Sequence, residues 1–158
     1  NIFIDGNAMP PDFRLCYAFD AEDKHGQRQF PGQTCGLQSD RPAFAFYEAV
    51  AGALGLQLRF QRPEDGWAGW QLPGGGRPLF VIGQPFDGEP HHPGNGQMVA
   101  FLAASRAVVR QGRPALQHGG SCEGPPGLRP HYHPDYYGAY FRDTEGNKVC
   151  VACHGAEA

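Results

Sequence analysis

Two histidines in the C-terminal half of the chain are spaced for shared chemistry. One residue separates His131 from His133, and Asp135 follows two positions later. In an extended segment alternate side chains lie on one side, so these three groups would face the same way. Such a trio could bind a metal ion or transfer protons near neutral pH. The flanking prolines and the run Gly124–Gly127 equally fit a polar loop, where ligand contact is favoured over metal binding.

A second motif lies close to the C-terminus. Cys150, Cys153 and His154 form the sequence C-x-x-C-H, the attachment signature for c-type haem. Four residues follow His154, so a haem would have almost no downstream chain to cover it. On a strand the two thiols would also point to opposite faces, which disfavours a disulfide between them. The sequence therefore predicts a strand here, without haem and without a disulfide.

Aromatic and cationic side chains mark a candidate ligand pocket. Trp67 and Trp70 are three positions apart, so on one strand one of them faces a cleft and the other a helix layer. Aromatic walls with a few polar groups suit a planar or amphipathic small molecule, and an arginine there could meet a carboxylate. The predicted pocket residues are Arg59, Trp67, Phe80, Arg129, His131, His133 and Tyr137.

The elements that must position these residues follow a recurring order. A strand over 33–38 precedes a helix whose apolar residues recur every three or four positions and which ends at Gly55. Turn signals then separate three predicted strands, Leu56–Gln61, Gly66–Leu72 and Pro78–Gly83.

The same order then returns. After a strand over Gln97–Leu102, Ser105 can cap a helix over Arg106–His118, and Gly112 and Pro114 should kink that helix or end it early. The last predicted strands are Tyr136–Arg142 and Lys148–Cys153. The first strands start 64 positions apart, at residues 33 and 97, and so do the helix-closing glycines Gly55 and Gly119. This common offset predicts an internal duplication.

The duplication defines the domain organisation. Residues 32–158 form one domain, in which module one spans 33–85, a linker spans 86–96 and module two spans 97–154. Residues 1–31 fit neither module and form an N-terminal extension of unknown role, whose charged stretch 20–28 is expected to be a solvated loop.

Composition limits the class of protein. The 158-residue chain has 41% hydrophobic and 18% charged residues, which is typical of one globular domain. Its formal charge of −3 and the lack of a basic stripe argue against nucleic-acid binding. No apolar run approaches the roughly 18 residues needed to cross a bilayer. Five scattered cysteines indicate reduced thiols, so we expect a soluble cytoplasmic protein.

Three separated segments resemble one family. They are Phe46–Val50, Gly94–Phe101 and Phe141–Lys148. In this order they are similar to the glyoxalase/bleomycin resistance/dioxygenase group, the vicinal oxygen chelate superfamily, and most of all to its small bacterial glyoxalase-like members. The resemblance implies an α+β fold in which paired βαβββ modules form a curved, partly open mixed sheet around a cleft. It also implies that the chain forms a homodimer.

The resemblance further implies a divalent metal held by His, Glu or Gln from the first and last strands of each module. The matching positions are Gln33 (or Thr34 if the register shifts by one), Met98 and Cys150, and the last strand of module one offers only Phe80 and Val81. Amide, thioether and thiol groups are poor ligands for Mg, Mn, Ni or Zn. Cu(I) could use the two sulfur groups, but both also suit an apolar pocket wall. We therefore predict degenerate metal positions and no bound metal.

Two functions follow from this reading. The favoured one is a protein without cofactor, and without enzymatic activity, that binds a small and partly aromatic organic compound. The alternative is a metal-dependent lyase, isomerase or glutathione-related transferase that holds its metal elsewhere, for example at His131 and His133. A scaffold without any ligand is a third reading. Neither nucleic acid nor a membrane is expected as a partner.

Overall fold

The computed structural model describes residues 21–22, 28–29, 42–64, 66–75, 79–85 and 87–156. The predicted strand over 33–38, and with it Gln33, lies outside these residues. A short antiparallel hairpin of β1 (Ala21–Glu22) and β2 (Arg28–Gln29) falls within the stretch predicted to be a loop, because two-residue strands leave no periodic pattern. None of the helices in the described ranges is long and apolar enough to cross a membrane.

The described part of module one contains a helix and three antiparallel strands. Helix α1 (Pro42–Leu54) buries one face, formed by side chains three and four positions apart. Gly55, with a φ of 72°, ends the helix in the left-handed region as predicted, and the Leu56 amide donates to the Ala51 carbonyl at 2.9 Å. The strands lie in sheet order as β3 (Gln57–Arg62), β4 (Trp67–Gln71) and β5 (Leu79–Ile82).

Module two repeats this order after a first strand, whose predicted counterpart over 33–38 lies outside the described residues. Its elements are β6 (Val99–Leu102), α2 (Arg106–Gln111), a 3₁₀ helix (Arg113–His118), β7 (Ser121–Leu128), β8 (Tyr137–Arg142) and β9 (Lys148–Cys153). The sheet order is β6-β9-β8-β7, and only the β6–β9 pair is parallel. The predicted helix over 106–118 is interrupted after Gln111, as the glycine and proline in its interior indicated.

Strand β7 was not predicted from the sequence, in which Gly124–Gly127 indicated only the approach to a polar loop around His131 and His133. Among the described strands it pairs with β8 alone and so lies at the edge of this sheet, and its register shifts between Cys122 and Gly124 and again before Gly127. Proline has no backbone amide hydrogen to donate. An edge strand tolerates the two prolines because its outer side makes no hydrogen bonds to a further strand. The offset of 64 that relates Gly55 to Gly119 also relates Gln57 to Ser121, the first residues of β3 and β7.

The two modules share one hydrophobic core. Phe46 of α1 packs edge-on against Phe141 of β8, with ring centroids 5.7 Å apart. Phe80 of β5 packs against Phe101 of β6 at 5.0 Å. Both contacts join a residue of module one to a residue of module two, so neither module buries its apolar face alone. The α+β fold of two modules with open sheets is confirmed.

Candidate functional site

The exposed face of the module-two sheet forms one side of a cleft. Tyr137, Ala139 and Phe141 of β8 point to the core, so the intervening Tyr140 and Arg142 point to the opposite face. On the neighbouring strand Cys150 lies opposite Tyr140, and Lys148 lies opposite Arg142. The cleft on this face has a volume of about 570 Å³. Its described walls are Pro93, Gly94, Asn95, Gly96, Gln97, Met98, Tyr132, Tyr140, Arg142 and Lys148.

A hydrogen-bonded series of two tyrosines and a cysteine lies on this face. The Tyr140 hydroxyl donates to the Tyr136 hydroxyl at 3.3 Å, and the Tyr136 oxygen is 3.6 Å from the Cys150 sulfur. The Tyr132 ring packs on the Tyr136 ring with centroids 4.9 Å apart. Burial is the main cause that raises the pKa of Cys150 and of both hydrogen-bonded tyrosines. All three groups are therefore protonated at neutral pH.

Two cationic groups pack on the Tyr140 ring, and a third lies on the same strand face. The Arg129 guanidinium carbon lies 5.6 Å from the centroid of its ring, and Lys148 Nζ lies 5.9 Å from it. Arg142, two positions along the same strand face, is paired through its Nε with Glu123 at 2.5 Å, and Lys148 Nζ reaches the other oxygen of Glu123 at 3.2 Å. These hydrogen bonds, first that from Arg142, lower the pKa of Glu123 below its usual value.

The positions that correspond to the superfamily's metal ligands do not form a metal site in the described residues. Met98 lines the cleft, Cys150 is fully buried as a protonated thiol beside Tyr136, and Val81 is a buried aliphatic side chain. A thiol must lose its proton to coordinate a metal, and a thioether is a ligand for soft ions only. Among the described residues no three His, Cys, Asp or Glu side chains are grouped to hold a metal ion. The described members of this donor set, which do not include Gln33, do not fit a divalent ion.

The predicted trio of His131, His133 and Asp135 is not assembled by the structure. The His131 ring packs on Tyr132, with centroids 4.3 Å apart, and the Asp135 carboxylate is 3.6 Å from Arg106. His133 instead stacks on His154, with ring centroids 4.9 Å apart. The separation arises because the chain turns at this point: the Tyr132 amide donates to the carbonyl of residue 129 instead of continuing an extended segment.

The His133–His154 pair is held by a defined hydrogen-bond pattern. The backbone amide of Asp135 donates to Nδ1 of His133 at 3.2 Å, so Nε2 carries the ring proton. That Nε2 lies 2.8 Å from Nδ1 of His154, to which it donates. A zinc ion between two such nitrogens would need about 2.0–2.1 Å to each, more space than a direct hydrogen bond leaves. The pair is therefore a direct hydrogen-bonded contact between two imidazoles, without room for a zinc ion between the two nitrogens.

The cysteines of the C-x-x-C-H segment occupy opposite faces of β9. Cys153 belongs to the core cluster, whereas Cys150 contacts Tyr136 on the cleft face. Both thiols are buried, and neither forms a disulfide. The strand and the absence of a disulfide between these two residues were predicted from alternation.

The remaining predicted pocket residues separate into two groups. Arg129 contacts Tyr140 near the cleft. Trp67 lies on the face of β4 opposite the core, where its ring packs over Gly83, and it is not among the described cleft walls. Arg59 is exposed on β3.

Phe80 and Tyr137 lie on the helix side of their sheets. Phe80 is 6% exposed and packs in the core against the rings of Tyr47, Trp70 and Phe101. Tyr137 lies beneath the guanidinium groups of Arg106 and Arg110, with centroid distances of 5.4 and 5.3 Å. Strand alternation places both side chains away from the cleft, in contrast to the prediction.

Four aromatic or cationic residues that line the cleft were not predicted from the sequence, namely Tyr132, Tyr140, Arg142 and Lys148. Alternation offered a signal for two of them. If Phe141 is core, its neighbours Tyr140 and Arg142 must face the cleft and Tyr137 must not. The position of Lys148 on the cleft face follows from its pairing with Arg142 across the β8–β9 turn.

Comparisons with known proteins agree with this fold. The sequence model described as "Glyoxalase/Bleomycin resistance protein/Dioxygenase superfamily" matches residues 40–151. The chain is similar to a glyoxalase/bleomycin resistance protein from Albidiferax ferrireducens T118, with 33% identity, a TM-score of 0.60, and coverage of 72% of this chain and 88% of that one. No match was found among curated proteins.

Two further solved structures show the same fold at lower identity. A glyoxalase-related enzyme from Fulvimarina pelagi is 19% identical, with a TM-score of 0.58 and coverage of 79% of this chain and 87% of that one. A hypothetical protein from S. aureus is 18% identical, with a TM-score of 0.57 and coverage of 82% and 96%. Together with the family match over most of the described residues, these findings show that the chain belongs to the glyoxalase/bleomycin resistance protein/dioxygenase superfamily.

Proposed function

We propose that this chain binds a small, planar aromatic compound in the module-two cleft and does so without a divalent metal. The observation that carries the proposal is the chemistry of one sheet face. Tyr132 and Tyr140 supply aromatic walls there, while the positions suited to metal ligands hold Met98 and a buried Cys150. The scaffold of the superfamily is therefore present with a different set of side chains in its cleft.

The volume and lining of the cleft support an organic ligand. About 570 Å³ lies within the range of pockets that hold small molecules. Tyr132 is 61% exposed, so its ring can cover a ligand without the cost of opening a packed core. The Met98 thioether is half-buried in the same wall and favours contact with an aromatic ring through its polarisable sulfur.

The burial and protonation of the Cys150 thiol support ligand binding without a metal ion. Its thiol is shielded from solvent, and burial raises its pKa, which opposes the thiolate that coordination requires. Tyr136 also occupies the space next to its sulfur. A metal would have to displace this contact and remove a proton from a buried group.

The position of the cleft walls supports a homodimer. All described residues that line the cleft lie between residues 93 and 148, so module one contributes none of the described walls. A second copy of the chain would cover the open side. Light scattering coupled to size-exclusion chromatography tests this part of the proposal, which requires a mass of about twice 17.2 kDa.

The unpaired thiols of Cys122, Cys150 and Cys153 support a reducing compartment such as the cytoplasm.

A thermal-shift screen tests the function. The chain, purified without an affinity tag, is heated with planar aromatic compounds and, separately, with Ni²⁺, Zn²⁺, Mn²⁺ and Fe²⁺, and its metal content is measured by mass spectrometry. The proposal predicts that aromatic compounds raise the Tm and that the ions do not. Stoichiometric metal in the purified protein, with a Tm that falls on chelation, would contradict it.

A further inference from the structure

Three adjacent strands bring together an acid and two bases at the cleft. Glu123 lies on β7, Arg142 on β8 and Lys148 on β9, and the last two face each other across the β8–β9 pair. One carboxylate oxygen of Glu123 accepts from Arg142 Nε at 2.5 Å, and the other is 3.2 Å from Lys148 Nζ. Arg142 and Lys148 line the cleft. The carboxylate of Glu123 thus bridges two cationic wall residues.

The charges at this place do not balance. Arg142 and Lys148 share a single carboxylate, and Arg129 adds a third positive charge over the same Tyr140 ring. Arg129 donates its hydrogen bonds to two backbone carbonyls, those of Leu128 and Pro125, which are neutral acceptors. Within the described residues this side of the cleft therefore carries an excess of positive charge, which attracts an anion.

From these contacts we infer that the ligand of the cleft is an aromatic carboxylate, whose carboxylate binds Arg142 and Lys148 in the place that the Glu123 carboxylate occupies in this structure. The inference rests on the proposed function, because it assigns the ligand class of the same cleft. The contacts of Glu123 show how a ligand carboxylate would bind, because its two oxygens already bridge the two cationic side chains.

The geometry favours a carboxylate attached to a ring. A planar carboxylate offers two oxygens that can each take one of the two donors, as Glu123 does. The Tyr140 ring lies beside Lys148, so a ligand ring attached to that carboxylate would meet an aromatic surface. A neutral aromatic compound could use the tyrosine surface but not the two bases.

Glu123 can leave this position at little cost. It is an exposed residue of β7, which lies at the edge of the sheet formed by the described strands of module two. Exposed ion pairs contribute little net free energy because each partner is well hydrated when separated. A ligand carboxylate therefore competes with Glu123 for the bases, and the Glu123 carboxylate becomes solvated when it is displaced.

Calorimetric titration with two matched probes tests the inference. The probes are 2-naphthoate and its neutral counterpart 2-naphthamide, which have the same ring system. Glu123→Gln removes the competing charge, and Lys148→Met removes one base. Two control variants make the same charge changes on module one, away from the cleft: Glu64→Gln and Arg62→Met, both at exposed positions.

The expected result is a difference in probe preference between the variants. The wild-type chain should bind 2-naphthoate more tightly than 2-naphthamide by roughly fivefold. Glu123→Gln should tighten naphthoate binding by roughly two- to fivefold and leave naphthamide binding unchanged. Lys148→Met should remove most of the preference, and both control variants should behave as wild type.

Two other results separate the possible failures. If both probes bind equally and no variant alters their ratio, the carboxylate subsite is wrong while the aromatic cleft of the proposed function stands. If neither probe binds to the folded wild-type chain, the proposed function is overturned and the carboxylate subsite with it.

Discussion

The hydroxyl of Tyr47 donates a hydrogen bond of 2.7 Å to Oδ2 of Asp143 and so joins helix α1 to the turn between β8 and β9. Asp143 is 4% exposed and also accepts from the backbone amides of Glu145 and Asn147 and from the Asn147 side chain. Four donors thus satisfy one buried carboxylate. Because Tyr47 belongs to module one and Asp143 to module two, this contact links the modules across their common core.

Loss of this contact should destabilise the fold. We expect Tyr47→Phe to lower the free energy of unfolding by about 1–2 kcal/mol, because a buried carboxylate loses one of its donors. Asp143→Ala should cost about 3 kcal/mol or more, because it leaves several donors without an acceptor. Urea unfolding measures both effects. In the double variant the two costs should not add, and strict additivity would show that the residues are uncoupled.

Cysteine reactivity should follow burial. Cys122 is exposed, whereas Cys150 and Cys153 are buried, and burial raises the pKa of Cys150. In the native chain at pH 7.5 iodoacetamide should label Cys122 at least roughly tenfold faster than Cys150, because only thiolate reacts. Peptide mass mapping after timed quenching measures the rates, and labelling in urea gives the reference for exposed thiols. Comparable native rates for these two residues would show that Cys150 is accessible.

Tyr132 should contribute to ligand binding through its ring. We expect Tyr132→Ala to weaken binding of 2-naphthamide by roughly two- to tenfold, the range expected for loss of one aromatic contact. Leu128→Ala is a matched control, because Leu128 is also largely exposed, at 48%, and does not line the cleft. Calorimetric titration of both variants with 2-naphthamide measures the two losses of affinity. An equal loss in the two variants would indicate a general effect on module two instead of a cleft contact.

The pKa of Glu123 should show whether its carboxylate pairs with Arg142 and Lys148 in solution. Arg142 and Lys148 lower its pKa, which means that folding stabilises the ionised form of the carboxyl group. Its stabilising contribution is therefore present above the unfolded pKa and is lost as the pH falls through the lower folded pKa. NMR titration should show a pKa below the usual 4.5, and Lys148→Met should raise it. An unchanged titration in that variant would mean that the bridge does not form in solution.

The sequence predicted the elements whose pattern is local. The buried face of α1 and the left-handed Gly55 follow from spacings within one helix, and the break after Gln111 follows from Gly112 and Pro114. Strand β7 was missed because an edge strand rich in glycine and proline lacks an alternating apolar pattern. The repeat offset that connects Gln57 with Ser121 contained the missing information.

The site was less predictable because it depends on contacts between distant residues. Whether Tyr137 or Tyr140 faces the cleft is decided by the packing of Phe141 on Phe46, which belongs to the other module. His133 similarly finds its partner in His154, outside the segment that suggested a histidine trio. Residue types marked the correct region of the chain, but the side of each strand required the tertiary contacts.

Ligand binding in the absence of metal tests the central claim most directly. The chain is stripped with EDTA, dialysed, and titrated with 2-naphthoate before and after addition of one equivalent of Zn²⁺, Ni²⁺ or Mn²⁺. The proposal predicts the same Kd in all titrations, because Met98 and the protonated Cys150 provide no site for these ions. Binding that appears only after one of the ions is added would contradict it.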